Sequence, residues 1–239
     1  MFDEKRFTDI ADAFFRKDGM PACDDEATGT LLIVPSEIKT AILLSAPHAV
    51  EHLRDGKPKF AEPDTAALAI MLGEELGCPV IINVLGKEDP NYHEESPYCD
   101  RAVSAIKEHG LKLALDMHES APNRAYSFAV GTGYGKNVFG KIEIAETFAR
   151  ALTEHGFDNV EVDLYPYAGS KERTVASSLR REARVPAIQL EINSKFFMEG
   201  KDRDPKRVYE ALFTAVCAAL MTADIVSGIS PKTSTQSGS

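Results

Sequence analysis

No apolar run in this 239-residue chain approaches the roughly 20 residues that a bilayer-spanning helix needs. The first residues, Met1-Phe2-Asp3-Glu4-Lys5-Arg6-Phe7, place acids where a secretory signal is basic and then apolar, so no cleaved leader is expected and the cytoplasm is the expected location. Basic residues are in deficit, with 27 Lys and Arg against 37 Asp and Glu and a formal net charge of −10. That balance argues against nucleic acid as the partner, because phosphate contacts need clustered Lys and Arg. It argues equally against an anionic membrane surface. A small acidic substrate stays compatible, since a local arginine pair can dominate one pocket. Cysteine is sparse: Cys23, Cys78, Cys99 and Cys217 form no Cys-x-x-Cys pair and read as free thiols of a reducing compartment. Nothing near Cys99 singles it out as a nucleophile. Internal repeats and a domain linker are also lacking. We therefore expect a single domain over residues 1–226, followed by a mobile tail at 227–239 rich in Ser, Thr, Gly and Gln.

What is present is an alternation of strand-like and helix-like segments. Phe7, Ile10, Ala11, Phe14 and Phe15 share one face of an expected helix over residues 4–17. Strand-like runs follow at 30–34 and 40–46, and Pro35-Ser36-Glu37 between them predicts a hairpin. A Lys/Gly/Pro-rich loop is expected at 53–61, then a helix capped by Asp64 and ended by Gly77. Further strands are predicted at 79–85, 111–117, 125–130, 160–164 and 186–192. Further helices are predicted up to His109, over 137–155 and 172–184, and from Pro205 to about 224. This order predicts an α/β fold whose central sheet is mixed but mostly parallel, flanked by helices. In such sheets ligands bind beyond the carboxyl ends of strands.

Three predicted carboxyl ends carry acids and imidazoles. After Ala41 to Ala46 comes Pro47-His48-Ala49-Val50-Glu51-His52; after Leu111 to Leu115 comes Asp116-Met117-His118-Glu119; after Ala187 to Leu190 comes Glu191-Ile192-Asn193. Catalytic zinc takes three nitrogen or carboxylate ligands plus water. A chain turning off a sheet edge can fold His48 and Glu51 inward together, and His118 is the expected third ligand. Asp116 shares a strand face with His118 and is placed to orient its imidazole. Glu191 follows buried strand, where desolvation raises a carboxyl pKa toward that of a useful general base. His48 to His52 also matches His-x-x-Glu-His, the inverted zinc-peptidase pattern, but that pattern needs a helix, and Pro47 and Gly56-Lys57-Pro58 disfavour one here. His52 is therefore expected to line the pocket or support a ligand. Arg54, Arg101, Arg124 and Arg173 are candidates for polarising a carbonyl or clamping a carboxylate. Of these, Arg101 and Arg124 are preferred for the oxyanion, and Arg54 and Arg124 for a substrate carboxylate.

The segments Ser45-Ala46-Pro47-His48, Asp116-Met117-His118 and Leu190-Glu191-Ile192-Asn193, in that order, make the chain resemble the N-formylglutamate amidohydrolase family. That family looks related in fold to zinc carboxypeptidases and to the aspartoacylase and succinylglutamate desuccinylase group. The resemblance implies a zinc carboxypeptidase-like sheet with one Zn²⁺ at its carboxyl edge, His48, Glu51 and His118 as ligands, and Glu191 as acid/base. Asp89-Pro90-Asn91 looks like an Asp-Pro-Asn element of the family, which implies Asn91 as a substrate contact. The chain departs from the family where it reads Ala49-Val50-Glu51-His52 after His48.

The expected activity is zinc-dependent hydrolysis of the amide bond of a small, carboxylate-bearing N-acyl amino acid or short peptide. Two other classes stay open at this stage. One is a binding protein that kept the scaffold without the chemistry. The other is a nucleotide-binding enzyme using Gly131-Thr132-Gly133-Tyr134-Gly135, whose glycine spacing fits neither a dinucleotide loop nor a P-loop.

Overall fold

Alternation of side chains along three central strands explains how this chain layers itself. In a computed structural model, which describes residues 2–92 and 96–223, Ile42 and Leu44 of one strand face one core and Leu43 faces the other. Val80 and Ile82 oppose Ile81 in the same way, as Leu113 and Leu115 oppose Ala114. Strands buried on both faces need helices on both sides. One side is covered by α1 (Glu4–Arg16), α2 (Pro63–Leu76), α4 (Glu143–Glu154) and α6 (Pro205–Thr222). The other is covered by α3 (Pro97–His109) and the short α5 (Val175–Ser178), which runs on into a wide turn at Leu179–Ala183.

The sheet has seven strands: β1 (Thr30–Ile33), β2 (Ile42–Ala46), β5 (Val80–Asn83), β6 (Leu113–Ser120), β7 (Phe128–Gly131), β8 (Val160–Val162) and β9 (Ala187–Asn193). Their order is β1-β5-β2-β6-β9-β7-β8, with a parallel centre of β5, β2, β6 and β9. β1 and β7 join that centre antiparallel at either side. From β2 the chain moves outward to β5, then crosses back past β2 to β6. The direction of winding reverses between β2 and β6, the kind of crevice where open α/β sheets bind ligands.

The expected α/β class and mixed, mostly parallel sheet are observed, with three local differences. The hairpin expected around Pro35 does not form, because β5 lies between β1 and β2 and pairs with both. The helix expected over 137–155 is interrupted: after a 3-10 turn at Lys136–Val138, Phe139 and Gly140 take φ of 53° and 80°, and α4 starts only at Glu143. The loop expected at 53–61 is instead a two-stranded hairpin, β3 (His52–Arg54) and β4 (Lys57–Lys59). Its turn residues Asp55 and Gly56 have φ of 52° and 69°, the left-handed pair of a two-residue type I′ connection. Among the described residues no helix is long and apolar enough to cross a membrane. The tail expected from residue 227 lies outside the described residues.

Candidate metal centre and pocket

Ser45, Asp116, His118, Gln189 and Glu191 follow Leu43, Ala114 and Ala187 at two-residue spacing, so all five point to the α3/α5 side of the sheet. They stand at the carboxyl ends of β2, β6 and β9, with His118 paired in register with Glu191. A pocket of about 310 Å³ opens there, lined by His48, Glu62, His118 and Glu191 among others. A larger cavity, about 610 Å³, lies at the opposite edge and contains neither an imidazole nor a carboxylate. The smaller pocket therefore gathers the imidazoles and carboxylates.

Its focus is a triangle of donor atoms. His48 Nδ1 lies 3.0 Å from Glu62 Oε1 and 3.1 Å from His118 Nδ1, and His118 Nδ1 lies 3.4 Å from Glu62 Oε2. Ligands arranged tetrahedrally about zinc at ~2.0–2.1 Å stand roughly 3.3–3.4 Å apart, and the three residues, reached through both Glu62 oxygens, lie close enough together to share one cation. Each imidazole is held from behind. His48 Nε2 meets Asp89 Oδ1 at 2.9 Å, and His118 Nε2 meets Asp116 Oδ2 at 3.0 Å. Those carboxylates set the tautomer that leaves Nδ1 for a metal. Asp116 is itself fixed by Ser45 Oγ at 2.8 Å, and Ser45 contacts the Tyr98 hydroxyl at 2.9 Å. The Asp89 side chain also accepts from Asn91 N at 2.8 Å and from Arg54 Nε at 2.5 Å.

The electrostatics follow from this packing. Burial pulls the His48 pKa down, but the charge of Glu62 and the hydrogen bonds that the imidazole donates to Asp89 and Glu62 outweigh it, for a rise to about 9. Burial works against the His118 cation too, and Asp116 with Glu62 again wins, holding its pKa well above the usual value. Burial pushes the Glu62 carboxyl up, yet the two imidazoles hold it at about 2. A carboxylate clamped between two imidazoles favours positive charge at their common focus, which a divalent cation supplies when it displaces their protons. Glu191 differs. Desolvation dominates, the nearby imidazoles offset only part of it, and the pKa rises to about 7.

The third corner of the triangle is Glu62 rather than the expected Glu51. Pro47 to Val50 form a tight turn whose Ala49 and Val50 are fully buried, and Glu51 emerges into solvent. The turn is pinned from outside: a Cβ on Gly86 would come 1.9 Å from the Glu51 carbonyl oxygen. The β3–β4 hairpin then returns the chain, and Glu62 N donates to His48 O at 2.8 Å. Glu62 occupies the N-cap position of α2 without capping it, and Pro63 follows. A glutamate where Ser, Thr, Asp or Asn is favoured is the one local signal that could have marked it. In Asp89-Pro90-Asn91 it is Asp89, beside the expected Asn91, that backs the His48 imidazole.

The other sequence candidates separate clearly. His52 stacks on His48 with centroids 4.1 Å apart and turns Nδ1 toward Val50 O at 3.2 Å. Burial and the His48 charge lower its pKa to about 4. His48, His52 and Asp89 also come close enough to suggest a cation, but Arg54 already neutralises Asp89, and neither His52 nor Asp89 lines the pocket. Asn91 does line it, with Nδ2 3.0 Å from His118 Nε2 and Oδ1 accepting from Val175 N at 2.7 Å. Arg54 lines it as well, its guanidinium 5.4 Å over the Tyr92 ring. Arg124 is exposed at the rim, 5.5 Å over the ring of the pocket residue Tyr167. Arg101 is drawn away from the pocket toward Asp24, at 3.4 Å, because α3 presents it to the β1 side. Cys99 is buried and its thiol is pushed up to about 12, unsuited to nucleophilic work. The Gly131 to Gly135 loop follows β7, which runs antiparallel to β9, so it leaves the sheet at the edge away from the imidazoles. Its Gly133 N and Gly135 N donate to Ala168 O and Thr132 Oγ1, at 2.6 and 2.8 Å, instead of cradling a phosphate.

No protein-family model and no curated protein matches this sequence. Solved structures do. The chain is similar to N-formylglutamate amidohydrolase from Ralstonia eutropha JMP134, at 14% identity and a TM-score of 0.56, over 83% of this chain and 98% of that one. It is similar to a bacteriophage poly-gamma-glutamate hydrolase, at 14% identity and a TM-score of 0.53, over 81% and 91%. A metallo-carboxypeptidase from Pseudomonas aeruginosa matches at 13% identity and a TM-score of 0.50, over 81% of this chain and 60% of that one. At such identities the likeness is one of fold, and the fold is the one that N-formylglutamate amidohydrolase shares with zinc carboxypeptidase-like hydrolases.

Proposed function

We propose that the protein is a zinc-dependent amidohydrolase that cleaves the amide bond of a small, carboxylate-bearing N-acyl amino acid or short peptide. The observation that carries this reading is the His48/Glu62/His118 triangle, backed by Asp89 and Asp116 and sharing one pocket with Glu191. The names of the similar structures, an amidohydrolase, a poly-gamma-glutamate hydrolase and a metallo-carboxypeptidase, agree with amide-bond chemistry. One zinc per chain is the assigned cofactor. When bound, it supplies Lewis acidity that brings a water's pKa down to about 7.

The residues of the chain do the rest. Asp89 and Asp116 keep both imidazoles oriented and electron-rich. Glu191, poised near neutrality, takes the proton of the attacking water and delivers it to the leaving nitrogen. Arg54, whose Nε is held by Asp89, turns its terminal nitrogens to the substrate carboxylate, and Arg124 guards the rim. The four free cysteines agree with a cytoplasmic location.

Metal analysis joined to a turnover screen over N-formyl, N-acetyl and N-succinyl amino acids and short γ-glutamyl peptides tests the proposal. We expect about one zinc per chain, with turnover lost on chelation and restored by zinc. A metal-free protein that hydrolyses these amides at full rate, or a zinc-loaded protein that hydrolyses none, overturns it.

A further inference from the structure

The cavity of about 610 Å³ opens at the amino edge of the sheet, where Lys112 leads into β6 and Arg184 precedes β9. His118 stands six residues along β6 from Lys112, about 20 Å at ~3.3 Å per residue, so this cavity is separate from the metal pocket. Lys107, in the last turn of α3, and Lys141, ahead of α4, bring its cations to four. No carboxylate lines it, and none of the four cationic groups has an ion-pair or hydrogen-bond partner among the described residues. Such a cluster runs against the composition of a chain with a net charge of −10.

Helix compensation accounts for part of this charge. α3 and α6 both end at the cavity, through Gly110 and Ala223, and cations are favourable near the carbonyl end of a helix. Each end carries roughly half a negative charge, and the wide turn closed by Arg184 adds at most another half. Three such ends amount to roughly −1.5, so four cations leave a surplus of roughly +2.5. The mutual repulsion of that surplus is relieved by an anion carrying about two charges, the charge of a phosphate ester at neutral pH.

We propose that this cavity binds a small phosphate ester. Three of its four cations are lysines, compact point charges that meet a tetrahedral phosphate from several sides. Leu111 and Val185 supply an apolar floor for the carbon skeleton. No aromatic side chain lines the cavity, so a nucleobase finds no ring to stack on, which favours a sugar phosphate over a nucleotide. The site stands apart from the hydrolytic reading of the other pocket, and its test needs no turnover.

Calorimetric titration of the zinc-loaded full chain with fructose 1,6-bisphosphate, at constant ionic strength, provides that test. We expect saturable binding of one molecule per chain. Lys112→Gln/Arg184→Gln should weaken it roughly tenfold to hundredfold for each cation removed. Lys107→Gln/Lys141→Gln is a second pair with the same expectation, should the first not fold. Lys5→Gln/Lys206→Gln removes the same net charge from exposed helix positions outside the cavity and should leave affinity unchanged. Removal of zinc should also leave it unchanged, because the metal pocket lies at the other edge of the sheet. Helix compensation alone predicts cavity variants of lower thermal stability and no saturable binding in the wild type. Absence of binding, equal losses in the cavity and control pairs, or loss of binding with the zinc overturns the proposal. Tricarballylate or ADP binding as tightly as the sugar phosphate overturns the ligand class.

Discussion

Replacing Glu62 by Gln changes one donor of the triangle and little of its shape, so it isolates the contribution of the carboxylate to metal binding. Zinc sites with four protein ligands bind with apparent free energies of about 10–16 kcal/mol. An equal share is about 2.5–4 kcal/mol per ligand, or a loss of roughly 10²–10³-fold in affinity. Glu62 also supplies the negative charge that faces both His48 and His118, which the Gln amide oxygen, though still an oxygen donor, does not replace. Glu51→Gln alters an exposed residue outside the triangle and should change zinc affinity by less than about threefold, the usual scale of surface substitutions. Affinities would be read by competition with a chromogenic chelator, with circular dichroism to confirm that each variant folds. His52→Gln completes the set and should keep its zinc, because His52 directs Nδ1 to Val50 O. Loss of zinc in Glu51→Gln with retention in Glu62→Gln would refute the assignment. A loss in His52→Gln as large as in His118→Gln would move the ion to the His48, His52 and Asp89 side.

The same geometry makes further expectations. Glu191→Gln should keep zinc and fold while losing ~10²–10⁴-fold in kcat; an unchanged kcat removes Glu191 as the base. Since the Glu191 carboxyl is raised to about 7 and must be ionised to accept a proton, wild-type kcat/KM should fall as pH drops below that value, and a profile flat down to pH ~5 contradicts this. In the zinc-free protein His48 keeps its proton up to about 9, so zinc uptake near neutral pH should release protons and tighten as pH rises. Calorimetry in two buffers of different ionisation enthalpy reads that release, and identical heats would count against it. Asp116→Asn should weaken zinc binding ~10–100-fold by loosening the His118 imidazole. Arg54→Lys should raise KM for an acyl amino acid more than for its uncharged amide, and equal effects on the two would remove the carboxylate clamp.

Local patterning in the sequence determined the architecture and most of the site's strand-borne groups. Two-residue alternation places Asp116 with His118, and Gln189 with Glu191, on one face of neighbouring strands. The strand-then-acid order of His48, Asp116 and Glu191 already put them at one sheet edge, since parallel strands share a carboxyl end. The tertiary structure decided the rest, because those features depend on pairings between residues far apart in the chain. β5 displaced β1 from β2 through contacts that the Pro35 turn does not encode. The choice of Glu62 over Glu51 turned on a two-residue Asp55-Gly56 connection that folds the chain back to His48, while Gly86 pins Glu51 outward. Asp89 reached the back of His48 from 41 residues away, and Arg101, close in sequence to other site residues, was carried to Asp24 by the rotation of its helix. Sequence spacing sets which way a side chain leaves its own element; only packed elements set which side chains then meet.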